Sequence, residues 1–526
     1  MTAVASRTPA QQVADLAARV AVEGLPAELR DDMAARTVDL LGNCLAARAE
    51  EPGRIVSAVV DDWGGTGAAT SFATGERLPP PSAALVNGTL AHSLDFDDTH
   101  LPSVLHPSSA VLPAAFAVAE ATGASGPAFL DAATVGVELT CRLGMAGYDE
   151  AAGTSVFFEW GQHATAICGA VGAALAAGML RGLSADQLTS AIGIAASMGS
   201  GVIEANRTGG TIKRVHCGWA AHAGVAAADL ARHGLTGPPT VLEGGFGFLR
   251  AFCGDRVRIE AVTDGLGERW ETPGIFFKPY PCNHFTHAGI DAALALRARG
   301  IRPDDVERLV LGAPAPVLRT IAEPRSAKIR PSSGYHAAFS GPYTVAAALC
   351  GGQNGLGVFH ADFTDDAAAD DARLALAARV EVVADDEATA GFPHQFPAVL
   401  TAHLRSGETV TERVRENRGG PGRPLSAAEH ETKFAGNAAR SVPADTAAEL
   451  AQLVWELRRE LRPADLGTRL TGALASLNCS PRRNDVEKPH RCSTSDLDPD
   501  HTRPPFSSSD GIRRSFLPAE RTSIDR

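Results

Sequence analysis

Apolar positions in the first half of the chain recur at helical spacing. Val13, Leu16, Ala17 and Val20 make one stripe, and Ala34, Val38, Leu41 and Cys44 another, the mark of helices that bury one face. Breaks rich in glycine, proline or serine separate the segments at Gly123 to Pro127, Arg181 to Ser184 and Gly234 to Pro239. The chain therefore reads as a succession of helices from Pro9 to about Arg269. Ser184, with Gln187 three residues on, is a capping box that starts one of them. Ala164 to Leu180 is uncharged and mostly alanine and glycine. It falls short of the roughly 20 residues a membrane span needs and reads as a buried helix.

Near Thr272 the texture changes. Val306 to Leu311 and Val380 to Val383 predict strands, and Ala398 to Leu404, Ser406-Gly407-Glu408 and Thr409 to Val414 predict a β-hairpin. Ser340 to Leu349 between them is helical, helix returns from Ser426, and Ala447 to Leu461 is amphipathic. The plan is mainly α: a helical domain over 1–271, a smaller α+β domain over 272–415, and a return segment over 416–477 that packs back on the first. From about 478 to 526 the chain is rich in Pro, Ser, Arg and Asp with no apolar period. Such a tail buries too little surface to offset its ordering entropy, and disorder is predicted.

A length of 526 residues exceeds one compact core, and 44% apolar with 21% charged residues is ordinary globular composition. A net charge of −13 disfavours binding along a nucleic-acid backbone. Aromatics make up only 6%, so the core must be built from small side chains on closely approaching backbones. The nine cysteines are scattered, with no C-x-x-C pair. That argues against structural zinc and a secreted disulfide framework, and for a reducing cytoplasm. No apolar signal core follows Met1 to Arg7.

The densest polar cluster is His92, Asp95, Asp97, Asp98 and His100, with His106-Pro107 close behind. Like charges this close raise one another's pKa, one way to hold a general acid or base near neutrality. The same grouping also describes a helix end whose aspartates cap backbone amides, or His and Asp ligands for a divalent ion, although no helical His-x-x-x-His pair or cysteine ligand accompanies it. His163 opens the Ala164 helix, where the helix dipole disfavours an imidazolium. Gly209-Gly210-Thr211-Ile212-Lys213-Arg214 offers two cations to a carboxylate or phosphate without P-loop spacing. In Lys278-Pro279-Tyr280-Pro281-Cys282-Asn283-His284-Phe285-Thr286-His287 two prolines fix an extended turn, after which His284 and His287 share a helix face. Gly334-Tyr335-His336 begins a loop-to-helix junction that, alone, reads as aromatic packing.

Taken in order, these elements resemble the MmgE/PrpD family, which includes 2-methylcitrate dehydratase, cis-aconitate decarboxylase and iminodisuccinate epimerase. The matching text is Ala91 to Thr99, His106-Pro107-Ser108, the segment from Lys213 through Gly218-Trp219-Ala220-Ala221, Leu242-Glu243-Gly244, Lys278 to Cys282 and Phe339-Ser340, within about residues 8–465. The resemblance implies a large all-helical domain with a smaller α+β lid, a homodimer, and an active site between the domains. By motif position it implies catalytic roles for Asp95, Thr99, His106, His163, Lys213, His287 and Tyr335, with His287 ahead of His284, and Lys213, Arg214 and His284 are expected to bind substrate. The loop from Thr99 to His106 is one residue longer than in the decarboxylase branch, which bears on the substrate rather than on the family.

Such enzymes act on small di- or tricarboxylates beside a carboxylate, where a proton or carboxyl group leaves an enediolate that Lys213 can neutralise. The leading expectation is a cytoplasmic, cofactor- and metal-independent hydro-lyase of the 2-methylcitrate dehydratase kind. In it His163, His106 or Asp95 abstracts the α-proton. A cis-aconitate-type decarboxylase or iminodisuccinate-type epimerase in the same cleft is the alternative. A non-catalytic carboxylate-binding homologue and a metallohydrolase are readings from other classes. The expected partner is the small polycarboxylate, with no nucleic acid and no membrane.

Overall fold

In the computed structural model residues 7–205, 210–351 and 356–478 are described. Gly209 and the tail expected to be disordered lie outside them, except Asn478, which ends a helix. The fold is mainly helical with a small mixed sheet.

Two hydrophobic cores organise the chain. The first gathers residues from Ala10 to Ile275 and then, after a gap of more than 150 positions, Phe434, Ala438, Leu450, Val454, Leu466 and Leu470. Its axis is the helix Ala164–Leu180, in which every residue from Ala164 to Met179 is buried. That helix packs against Ser108–Thr122, Gly126–Ala146, Ala185–Ala196 and His216–Arg232. So few aromatics suffice because the helix axes come unusually close. A Cβ on Gly172 would lie 2.0 Å from Thr140 Oγ1 and 2.3 Å from the Gly136 carbonyl oxygen, and one on Gly218 would lie 2.2 Å from the Leu85 carbonyl oxygen. The Gly218 contact serves the site directly. It seats the helix that follows Lys213 on the helix Pro80–His92 that precedes Asp95.

The second core runs from Tyr280 to Val410. Its sheet has the order Val380–Ala384, Val306–Ala313, Ala398–Leu404, Thr409–Val414, with the first pair parallel and the others antiparallel. Leu311 pairs with both Val382 and Leu400, so the central strand is flanked by apolar neighbours. Ala398–Leu404 alternates buried and half-buried positions, the period-2 signature that predicted the hairpin. The helices His287–Ala298 and Gly341–Gly351 pack on each other and on this sheet. A third cluster, Leu101, Phe276, Phe285, Phe392 and Phe396 with Val104 and Phe158 against it, draws on both stretches of chain.

One helix differs from its sequence pattern. Ala447 to Leu461 is not continuous: helix Ala444–Glu456 ends, and a second helix runs Pro463–Asn478. Proline lacks the amide of a helix interior and disfavours helical geometry at the residue before it, so Pro463 begins a new helix rather than extending the old one. Among the described residues no helix is long and apolar enough to cross a membrane.

The close helix approach is testable. Gly172→Val should lower the urea midpoint by the equivalent of about 1–3 kcal/mol or more, because the added atoms meet backbone as well as side chain. Gly472→Ala, with nothing within 4 Å of its would-be Cβ, should leave the midpoint unchanged or raise it.

Candidate active site

The helix Pro80–His92 gives way to a turn that passes through Asp95 at φ +52°, a left-handed conformation that costs a non-glycine residue energy and persists only where its surroundings enforce it. Here they do. Lys278 Nζ donates to the Asp95 carbonyl oxygen at 2.7 Å. Lys433 Nζ and Asn43 Nδ2 donate to the next carbonyl oxygen, that of Phe96, at 3.0 and 3.1 Å. Arg36 Nη1 and the Ser108 hydroxyl hold the Asp98 carboxylate at 3.1 and 2.5 Å. Thr99 exchanges two backbone hydrogen bonds with Phe276, at 2.9 and 2.8 Å, which brings the phenylalanine cluster beside the turn.

Asp95, Thr99, His106, His163 and Lys213 line one pocket of about 600 Å³, counting its open mouth, together with Gln162, Asn283, His284 and Thr320. Val104, Phe158, Ile203, Phe285, Phe339 and Phe396 give it an apolar wall. Lys213 Nζ donates to Asp95 Oδ1 at 3.2 Å, and Lys278 Nζ lies 3.6 Å from the same oxygen. Burial alone would raise the Asp95 pKa, but Lys213 and then Lys278 outweigh it and hold the carboxyl well below its usual range. Burial likewise opposes the Lys213 charge, while Asp95 leads the groups that keep its pKa above the ordinary lysine value. The pocket thus presents a permanent ammonium and a permanent carboxylate, with Asp95 Oδ2 buried and unpartnered. A carboxylate so stabilised is a poor base.

The imidazoles are the opposite case. Burial first, then neighbouring positive charge, lowers the His163 and His284 pKa well below the usual value, and burial takes His106 to about 3. His106 Nδ1 sits 2.6 Å from the Asp98 carbonyl oxygen, which only accepts. Nδ1 therefore carries the hydrogen and Nε2 keeps a lone pair. His163 Nδ1 is 3.0 Å from His216 Nδ1. Neither ring nitrogen of His284 has a hydrogen-bond partner within the protein, nor does Gln162 Oε1.

Three placements were not legible in the sequence. His284, not His287, lines the pocket. Asn283 caps the turn His284–Thr286, and the His287 ring lies behind, tilted, at 4.5 Å with Nε2 3.2 Å from the Cys282 carbonyl oxygen. Arg214 and Tyr335 stack at 3.9 Å and line a neighbouring cavity instead, with Ser93 and Leu94. The crowded aspartates do not all raise one another's pKa. Burial raises Asp98, but Asp97 is lowered because His92 and then His106 outweigh its burial. Imidazoles close by in the chain reverse at Asp97 the effect that proximity of like charges alone would give.

One group among the described residues could hold a metal: His92, Asp97 and Cys217 bring ligand atoms within 4.8 Å of one another. His92 Nδ1 already lies 2.7 Å from Asp97 Oδ2, and the Ser109 hydroxyl donates to the same oxygen. Burial and then Asp97 push the Cys217 thiol well above its usual range, so its sulfur is protonated. A metal here would have to displace the thiol proton of Cys217 and compete with the His92–Asp97 hydrogen bond, although Asp97 Oδ1 and His92 Nε2 have no hydrogen-bond partner of their own.

Two family models match the chain: the MmgE/PrpD N-terminal domain over residues 11–260 and the MmgE/PrpD C-terminal domain over residues 280–458. The cis-aconitate decarboxylase of Mus musculus is 32% identical over 408 residues, 75% of this chain and 79% of the relative. That of Homo sapiens is 33% identical over 395 residues, 72% and 77% of the two chains. The cis-aconitate decarboxylase of Aspergillus terreus is 35% identical over 244 residues, 44% of this chain. This chain spans about half the length of that fungal relative, 49%.

The neutral imidazoles set a pH dependence. Above about 6.5, the ordinary histidine value, they are uncharged folded or unfolded. Below it the unfolded chain takes protons that the folded one refuses until about 3 at His106 and His287. Stability should therefore fall as pH drops from about 6.5, by up to about 1.4 kcal/mol per pH unit for each such histidine. Asp95 and Asp97, with an ordinary value of 3.8, add their loss only at more acid pH. Urea unfolding at pH 7.5 and 5.5 reads the slope, and His106→Gln should flatten it. The two lid histidines should separate cleanly. His284→Ala should cost about 10²-fold in turnover with little change in melting, whereas His287→Ala should cost about 1–3 kcal/mol of stability.

Proposed function

The chain belongs to the MmgE/PrpD family, and from that premise we propose that it is a lyase acting on a small tricarboxylate by decarboxylation of the cis-aconitate type. The observation that carries the reading is a single pocket in which the charged Lys213 and three neutral imidazoles face an apolar wall. The relatives named as cis-aconitate decarboxylases, matched over three quarters of their length in the mammalian cases, support it.

The chemistry follows from the charges. A carboxylate placed against Phe158, Phe285 and Phe396 loses hydration that neutral CO₂ does not need. When the C–C bond breaks, the electron pair spreads through the adjacent double bond into a second carboxylate as a dienolate. The new negative charge falls to the Lys213 ammonium, a fixed donor in a poorly hydrated site, where removing one such group typically costs about 10²–10³-fold. An imidazole N–H then delivers a proton to carbon. Asp95 keeps Lys213 charged and oriented rather than acting as the base. Gln162, Asn283, Thr99 and Thr320 remain to bind the other carboxylates.

Elimination of hydroxide from a 2-methylcitrate-like acid is the second reading, favoured by one observation: His106 holds a lone pair at Nε2, the state a general base needs. For either reading we also propose a cytoplasmic homodimer that works without metal, organic cofactor or nucleic acid.

Incubation with cis-aconitate and with 2-methylcitrate in D₂O containing chelator, followed by NMR, separates these. The expected result is CO₂ release from cis-aconitate with one solvent deuterium fixed in the product. Water loss from 2-methylcitrate alone would replace the first reading by the second, and binding without exchange would leave only a carboxylate-binding homologue. Lys213→Ala should reduce turnover by about 10²-fold or more. Near-normal turnover in that variant would remove the ammonium from the mechanism.

A further inference from the structure

At the pocket and behind it four imidazoles stand in file. The His92 ring is 5.3 Å from that of His106 and 5.3 Å from that of His163, and His163 is 5.1 Å from His216. His106 and His163 line the pocket, but His92 does not, and it is only 1% exposed. Its Nδ1 lies 2.7 Å from Asp97 Oδ2. Asp97 is held as an anion, burial notwithstanding, by His92 and then His106, and a carboxylate only accepts. The hydrogen therefore stays on His92 Nδ1, and Nε2 is the one position on that ring where a proton can come or go. That nitrogen is buried and has no hydrogen-bond partner. An unpaired polar atom in the interior costs stability, yet this one belongs to a ring that neighbours both pocket imidazoles.

The groups facing His92 come from every element around it. They are Asp95 and Asp97 on its own turn, His106 just after it, His163, and His216 and Cys217 at the start of the helix His216–Arg232. Asp97 alone both bonds to the ring and carries an opposing charge directly against it. The His92–Asp97 pair is thus the place in the file best able to carry a proton.

Resting on the lyase reading above, we propose that His92, fixed by Asp97, is the positioning residue that stores the proton of the site and acts through His106 or His163. In decarboxylation the C–C bond breaks, CO₂ leaves, and the electron pair becomes a dienolate. The N–H of a pocket imidazole gives its proton to carbon, His92 restores that proton from Nε2, and solvent water refills His92 through His216 and His163, leaving hydroxide that the released CO₂ takes up as bicarbonate. In an elimination the same file runs in reverse, carrying the abstracted α-proton away. Asp97 holds the tautomer throughout and is not consumed.

The test uses His92→Gln, which keeps a donor toward Asp97, and Asp97→Asn. Each should lower kcat by about 10²-fold or more on the acid the wild type turns over. KM should stay within about threefold, and the solvent deuterium isotope effect on kcat should rise. Long-range ¹H–¹⁵N spectra of wild-type protein carrying ¹⁵N-histidine need neither substrate nor a folded variant. The His92 signal, assigned by its loss in H92Q or by its neighbours if H92Q does not fold, should show hydrogen on Nδ1. A kcat within threefold of wild type, an Nδ1 without hydrogen, or a stoichiometric metal in purified wild type that H92Q loses would each overturn the proposal. Failure of the wild type on every acid would sink the lyase reading instead, and the tautomer measurement would still decide the state of His92.

Discussion

The structure depends on one buried turn of acids held by cations that arrive from all along the chain. Asp95, Asp97 and Asp98 are each 2–3% exposed. Their partners are Arg36 from an early helix, Lys213 and Lys278 from the middle of the chain, and His92 from the helix before them. Lys433 from the return segment grips the same turn at the Phe96 carbonyl and pairs with Asp39 at 2.6 Å. Buried ions are expensive to desolvate, and leaving one unpaired costs about 3–5 kcal/mol. The turn therefore forms only when first core, linking segment and return helix are all in place. Completion of the fold and completion of the site are one event.

That arrangement sorts the titratable groups into two kinds. Asp95 and Lys213 neutralise each other's tendency to lose charge and remain a fixed dipole at the pocket edge. The pocket histidines His106, His163 and His284, buried beside positive groups, stay neutral and so can take part in proton transfer. A site that must stabilise an extra negative charge while moving one proton needs both kinds, and burial supplies both from the same physics: it penalises any charge without a partner.

The small-residue helices have a related purpose. Gly218 and Gly172 let backbones approach where any side chain would collide, and the first of these contacts fixes Lys213 relative to Asp95. The phenylalanines that a core of alanine and glycine does not use collect instead in the cluster beside the pocket. There they supply an apolar wall next to a charged pair, a contrast of dielectric across a few ångströms.

Much of this was legible in the chain alone. Helical and strand periods, the Ser184 cap, the hairpin and the motifs holding Asp95, Thr99, His106, His163 and Lys213 are local, because side-chain spacing and turn chemistry act over a few residues. The choice of His284 over His287 required the cap at Asn283, which turns one ring into the pocket and the other behind it. The partnership of Arg36, Lys278 and Lys433 with the acidic turn left no local trace, since those residues stand up to 337 positions from their partners. The sequence by itself determined which elements form and which chemical groups are available. Only the tertiary structure decided which of those groups are charged, because protonation is set by burial and by partners in space rather than by neighbours in the chain.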